Sequence, residues 1–263
     1  GFLSMPRNLG ILGEGSQCSI IERHISFGAE RSLSNSLTEI ILDKNATLNY
    51  CCAQDQAERT FHVGGLFARL AHSAKLKATT VTVGKAWVRN DARIDLDAEG
   101  AHANLDGAYL AFGRCHVDNH THISHNAPEC TSRECYKGVL GDRGHAVFHG
   151  RIVVQPNAQK TDSEQSNQNL LLSADAQIDT KPQLEIYADD VKCAHGATVG
   201  QMDEAALFYL VSRGVDRETA RRMLTQAFAA EILETVTPPA LQSYLASHVS
   251  CQLSPAVPPG AAA

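Results

Sequence analysis

Between about residue 9 and residue 195, apolar and polar positions alternate in short runs that turn residues interrupt. The stretches TEIILDKNATLNY, ATTVTVGKAWVRNDARIDLDAEG, AVFHGRIVVQPNAQ and QLEIYADDVKC are rich in β-branched residues and have the length of strands. Residues 66–76 (LFARLAHSAKL) have some helical periodicity, but they lie between strand-like stretches and are read with them. There is also a weak repeat. Ala158, Ala176 and Ala194 are 18 residues apart, as are Ala74 and Ala92, each opening a unit of small residues followed by a strand. A recurring coil with small residues at its corners is the trace that a parallel β-helix leaves. An antiparallel sandwich accounts for the pattern equally well, and the pattern alone leaves both open.

After Gly200 the texture changes. Asp203 is placed to cap a helix through EAALFYLVSRG, with Leu207, Leu210 and Val211 on one face and Gly214 as terminator. Asp216 is placed to cap a second, in which Ala220, Met223, Leu224 and Ala227 recur at helical spacing. Thr237-Pro238 reads as cap and first-turn proline of a third, carrying Leu241, Tyr244, Leu245 and His248. The expected organisation is a β domain over residues 1–200, a helical domain over 201–250, and a Pro/Ala/Gly-rich disordered tail over 251–263. The exposed ends of a β-helix invite pairing with another chain. The helices are placed either to cover one end or to dock a partner.

Composition narrows the function. A chain of 263 residues, 43% apolar, buries a full core, and its net charge of −6 with scattered Lys and Arg argues against nucleic-acid binding. No apolar run approaches the ~20 residues that span a bilayer, and GFLSMPRNLG lacks the apolar core of a secretory signal, so a cytoplasmic protein is expected. The sequence opens on Gly1 without an initiator Met, which points to a trimmed segment. Eight cysteines form no C-x-x-C pair and read as reduced thiols, mostly buried. P-loop, G-x-G-x-x-G, G-x-S-x-G and H-E-x-x-H signatures are absent, so any ATP hydrolysis belongs to a partner.

Two stretches carry candidate chemistry. RCHVDNHTHISHNAPECTSREC (114–135) holds the densest set of imidazoles and thiols, with His116, His120 and His122 in phase on one strand face. They are a metal-ligand candidate, although a polar surface ladder fits them better, and Cys130 and Cys135 read as structural. ADDVKCAHGATVG (188–200) places Cys193 and His195 on a shared strand face, where an imidazole could lower the thiol pKa and the pair could supply two ligands. Two ligands make half a site; a packed strand end is the plainer account. Asp189 and Asp190 are adjacent, point to opposite faces, and form no acid/base dyad.

The same residues carry a resemblance. NAQKTDSEQSNQNLLLSADAQIDTKPQLEIYADDVKCAHGATVGQMDEAALFYLVSRGV, with HVDNHTHISHNAPECTSRECYKGVL, RGHAVFHGRIVVQP and MPRNLGILGEGSQCSIIERH, resembles the SufD branch of the SufB/SufD family, scaffold subunits of the SUF iron–sulfur cluster assembly system. The resemblance covers nearly the whole chain. It implies a mainly β fold, a right-handed parallel β-helix followed by a small C-terminal helical domain. It implies a non-catalytic scaffold that pairs with a SufB-like paralogue through the β-helix and binds a SufC-like ABC-type ATPase through the helices. ATP-driven dimerisation of that ATPase would then rearrange the interface. His195 matches the family's interface histidine, a ligand shared with the partner, and Cys193 the neighbouring cysteine; the principal cluster cysteine would come from the paralogue. A transient iron–sulfur cluster shared with the partner is implied, with none held by the isolated chain, and flavin has been associated with complexes of this family. A homodimer of the isolated chain is a further expectation. The N-terminal helical region that the resemblance implies is not in this sequence. Two alternatives stand beside this: a carbohydrate-active β-helix enzyme, which the low aromatic content (6%) and the lack of a carboxylate ladder disfavour, and a self-contained metal-binding β protein built on residues 116–125.

Overall fold

The computed structural model describes residues 1–26, 28, 30–236 and 238–253. Fifteen strands precede three helices: β1 Phe2–Ser4, β2 Arg7–Leu12, β3 Gln17–Ile25, β4 Ser32–Leu42, β5 Thr47–Asp55, β6 Thr60–Leu70, β7 Lys75–Thr82, β8 Trp87–Leu96, β9 His102–Ala111, β10 His116–His125, β11 Thr131–Leu140, β12 His145–Val154, β13 Asp162–Leu171, β14 Gln177–Ile186 and β15 Lys192–Gln201, then α1 Glu204–Ser212, α2 Arg217–Leu233 and α3 Pro239–Leu253. All the strand pairs are parallel, and each coil gives one strand to each of two sheets. The eight-stranded sheet runs β1-β4-β6-β8-β10-β12-β14 with β2 also on β4; the seven-stranded sheet runs β15-β13-β11-β9-β7-β5-β3. This is a parallel β-helix, and it removes the sandwich alternative.

The corners explain the sequence. Before six of the seven strands of the seven-stranded sheet, β15 being the exception, one residue adopts positive φ: Gly15, Asn45, Ser73, Gly100, Glu129 and Lys160. Its amide donates to the next coil, as in Asn45 N–H to His72 O (2.9 Å) and Glu129 N–H to Gln159 O (2.9 Å). A small buried residue follows, such as Ala46, Ala74, Ala101 or Cys130, because the bend brings the two sheets together and leaves room for little more. Small residues do mark corners, but the 18-residue spacing does not measure the coil. Trp87, His116 and His145 stack through consecutive coils, a repeat of 29 residues, because each coil holds two strands and two corners. Ala92 and Ala194 lie inside strands.

The interior fills by complementary neighbours. Leu48 and Leu76 stack in one column and Ile94, Ile123 and Ile152 in another, all fully buried. Tyr109 lies across Gly138 of the next coil and donates its hydroxyl proton to Asn169 Oδ1 at 2.6 Å. Tyr136 lies across Gly107 in the same way. A large ring in one coil thus needs a missing side chain in its neighbour.

Helices α2 and α3 do not cap an end of the β-helix. They lie on the outer face of the seven-stranded sheet, where Cys51, Ala53, Val81, Ala108, Leu110 and Val139 form an apolar patch with Ala229, Ile232, Leu233, Leu245 and Val249, and α1 packs on α2. The buried Lys137 amine pairs with Glu231 and sits 4.8 Å from the centre of the Phe228 ring, and Lys77 Nζ donates to Thr235 O at 2.6 Å. Asp203 and Asp216 cap α1 and α2 as their positions predict, and Gly214 follows α1 at φ +89°. The buried stripe of α2 is Ala220, Thr225, Ala229, Ile232 and Leu233; Met223 and Ala227, expected on it, face solvent, because the sheet lies on nearly the opposite side of the helix from the face that periodicity alone selects. Thr237 lies outside the described residues. Helix α3 begins at Pro239, with the Pro238 carbonyl accepting from Leu241 and Gln242, and runs to Leu253, past the boundary expected at residue 250. Residues 254–263 also lie outside the described residues. No helix among the described residues is long and apolar enough to cross a membrane.

Gly138→Ala puts a methyl group 2.3 Å from the Tyr109 ring and 2.5 Å from Asn169. Overpacking of this kind costs about 1–3 kcal/mol. Urea denaturation is expected to show that loss, and an unchanged midpoint would contradict the packing described.

Candidate functional site

Strands β14 and β15 are the last in their sheets, so among the described residues one side of each lacks a partner strand. Inside the β-helix two columns of inward-pointing side chains turn polar as they approach this end. One runs Ala103, Ser132, Ser163 and Cys193; the other runs Leu105, Glu134, Gln165 and His195. In the first, His125 of the opposite sheet meets the Ser132 hydroxyl at 2.9 Å, and the Ser132 and Ser163 hydroxyls meet at 2.9 Å. In the second, Gln165 Nε2 donates to Glu134 Oε2 at 2.6 Å. Glu134 is 2% exposed and Gln165 1%. His125 Nδ1 and Gln165 Oε1 make no hydrogen bond.

Cys193 and His195 therefore do share a face, as their spacing predicts, and it is the inward face of the final coil. Cys193 is half-buried against the core; His195 is exposed, because no further coil covers it. In this structure His195 is not among the groups that shift the Cys193 thiol. Burial, with the charge of Asp162 beside it, raises the Cys193 thiol above its ordinary value, and a backbone hydrogen bond at Ser163 opposes this only in part. Residues i and i+2 of a strand are ~6.6 Å apart along the chain, too far for the imidazole to outweigh burial. Asp189 and Asp190 sit exposed in the bend before β15, where Asp190 pairs with Lys160.

The histidines of 114–135 are split between faces. His116, His120 and His122 lie together on the outer face of the eight-stranded sheet, while His125 points inward. His116 stacks on Trp87 (5.4 Å between ring centres) and meets His145 edge-on at 4.9 Å; His120 meets His149 at 4.9 Å. Asp118 accepts from Arg89 at 2.6 Å and pairs with His120 at 3.0 Å. Burial lowers the pKa of all three outer imidazoles. The set is a ladder of rings and ion pairs between coils. Among the described residues no group of three or more His, Cys, Asp or Glu is arranged to hold a metal ion. Cys130 and Cys115 are buried corner residues.

Three buried titratable positions carry no signal in the sequence pattern. At the first coils, Glu22 accepts from Thr38 (2.6 Å) and Tyr50 (2.7 Å) and pairs with His24 (3.0 Å). Burial works against its charge, but these partners outweigh burial and hold the carboxyl at about 2. Burial, with His24 alongside, pushes the His62 imidazole down to about 3, so it is neutral at pH 7. Near the other end, burial pushes Glu134 up to about 7, with Thr121 and Gln165 opposing. In SRECYKG and DSEQSNQNLL polar residues occupy both phases of the strand, so alternation cannot say which phase is inside.

The Glu134 shift makes a pH prediction. An ordinary glutamate ionises near 4.5 and this one near 7, so the unfolded chain loses its proton first. Stability then falls as pH rises from about 4.5 to about 7, and the deficit persists above. Glu134→Gln removes the deficit and is expected to gain up to about 3 kcal/mol at pH 8 relative to pH 4.5. Denaturation curves at the two pH values check this; an identical pH dependence in both proteins would contradict it.

Comparison with known proteins agrees with this geometry. The family described as "SUF system FeS cluster assembly, SufBD core domain" matches residues 1–228. The chain is 34% identical over 242 residues to the iron–sulfur cluster assembly protein SufD of Escherichia coli, a match that covers 92% of this chain and 57% of the relative. It is 32% identical over 258 residues to an iron–sulfur cluster assembly SufBD family protein of Synechocystis, covering 94% and 56%, and 30% identical over 249 residues to the chloroplastic protein ABCI7 of Arabidopsis thaliana, covering 94% and 52%. The chain thus spans a little over half the length of these curated relatives. With the match running through all fifteen strands, α1 and most of α2, the chain belongs to the SufBD core family of the SUF system for iron–sulfur cluster assembly.

Proposed function

We propose that this chain is a SufD-like, non-catalytic scaffold subunit whose last coil joins a SufB-like paralogue and places His195, with Cys193 beside it, at a shared site where a nascent iron–sulfur cluster assembles. The observation that carries this is the pair of inward polar columns that end on His195 and Cys193 at unpaired strands. An edge strand with open N–H and C=O groups recruits another strand. A second β-helix docked there would turn the exposed ligands into an enclosed interface. The cluster is cargo in this account. His195 supplies a nitrogen ligand, the paralogue supplies the principal cysteine, and Cys193, whose thiol stays protonated alone, becomes a ligand only once a metal displaces its proton.

The helices serve a different contact in the same account. Helices α2 and α3 are spent on the seven-stranded sheet, but α1 projects Phe208 (73% exposed), Tyr209 and Val211 into solvent. Exposed aromatic side chains on a helix are typical anchors for a partner. The proposed partner is a SufC-like ATPase, since the chain lacks a nucleotide-binding motif of its own and any work from ATP must reach the interface through another subunit.

The test is iron and acid-labile sulfide in the anaerobically co-purified complex of this chain with its SufB-like and SufC-like partners. His195→Ala is expected to leave the three-component complex intact and to reduce both to background. Unchanged cluster content would remove His195 from the site, and failure of the unaltered chain to co-purify with either partner would remove the scaffold role.

A further inference from the structure

The amide of Gln165 is more constrained than a structural side chain needs to be. Its Nε2 is committed to Glu134 Oε2 at 2.6 Å. The same nitrogen lies against Gly150 of the opposite sheet, where any Cβ would come within 2.3 Å of Nε2 and 2.8 Å of the amide carbon. As a carboxylate Glu134 holds the NH2 end of the amide, and Gly150 leaves the space in which the amide sits. The carbonyl Oε1 points elsewhere, and at 1% residue exposure it accepts no hydrogen bond. A buried acceptor left unpaired costs about 1–3 kcal/mol, so native structures rarely keep one without a use.

The next residue in that column is His195, the register partner of Gln165 on β15. Adjacent strands are ~4.8 Å apart, which puts an imidazole N–H of one residue within reach of a side-chain carbonyl on the other. An imidazole that presents one nitrogen to a metal must carry its proton on the other, and the acceptor for that proton fixes both tautomer and ring direction.

We infer, resting on the assembly-site reading above, that Gln165 is a positioning residue for His195: held by Glu134 and seated over Gly150, it keeps a free carbonyl oxygen that one ring N–H of the exposed His195 takes up by a turn of its ring, a bond not made in this conformation, which leaves the other nitrogen unprotonated toward the partner. The ligands for cluster assembly are then prepared inside this chain before the partner arrives. Glu134 and Gln165 touch no cluster atom; they act through His195.

The test reads the His195 ring directly. In the full chain labelled with nitrogen-15 histidine, and at a pH where His195 is neutral, the ring-nitrogen shifts give the tautomer ratio. One tautomer is expected in about fivefold excess over the ratio found in an unfolded peptide, as a hydrogen bond of ordinary net strength supports. Gln165→Met, which keeps the length and removes the acceptor, is expected to return His195 to the peptide ratio, and Gln165→Glu, which keeps an acceptor oxygen, to retain the bias. A peptide-like ratio in the unaltered chain overturns the inference without any variant having to fold, and so does an unchanged bias in a folded Gln165→Met. Cluster content in the complex with His195→Ala reports on the assembly reading separately, so failure of one is distinguishable from failure of the other.

Discussion

The structure depends on one constraint: in a stack of parallel strands every backbone N–H and C=O is satisfied by the coil on either side, and the terminal coil has only one side. Everything from β4 to β13 is paired both ways. The last strands of the two sheets are not, and their inward side chains lack the layer that would bury them. His195 is exposed for the same reason that the amides of β15 are open. The polar columns behind it are the interior's adjustment to this end: where Leu105 would be followed by another leucine in a closed core, the column continues as Glu134, Gln165 and His195.

That adjustment has an energetic consequence. A carboxyl buried with one strong partner is raised to about 7, and an amide carbonyl goes unpaired. Burial of polar groups without full compensation destabilises the isolated chain. An apolar column would be more stable and would present nothing to a partner. At the opposite end the carboxyl is better satisfied, although His62 Nδ1 and Gln56 Oε1 there also make no hydrogen bond. Glu22 there takes three partners and stays ionised.

Much of the architecture was legible in the sequence, and the reasons it was or was not are physical. Strand-length alternation, the cap residues Asp203 and Asp216, and the shared face of Cys193 and His195 follow from local geometry that a side-chain pattern records directly. The coil length was misread because Ala158, Ala176 and Ala194 occupy unlike places in successive half-coils. Met223 and Ala227 were misassigned because the stripe of α2 is chosen by the sheet beneath it, through Ile232 and Leu233, and not by the helix's own periodicity. Glu134 and Gln165 were invisible because polar residues fill both phases of β11 and β13, and only the pairing of coils shows which phase is enclosed.

The central claim is that the open edge of the last coil is where another β-helix joins. Deuterium uptake by the backbone amides of residues 177–186 and 192–201, compared with and without the SufB-like partner, tests it most directly. Slowed exchange is predicted in both segments, strongest around His195, as new strand pairs take up the open N–H groups. Unchanged exchange there, with protection appearing only on α1 or on the histidine face of the eight-stranded sheet, would contradict it.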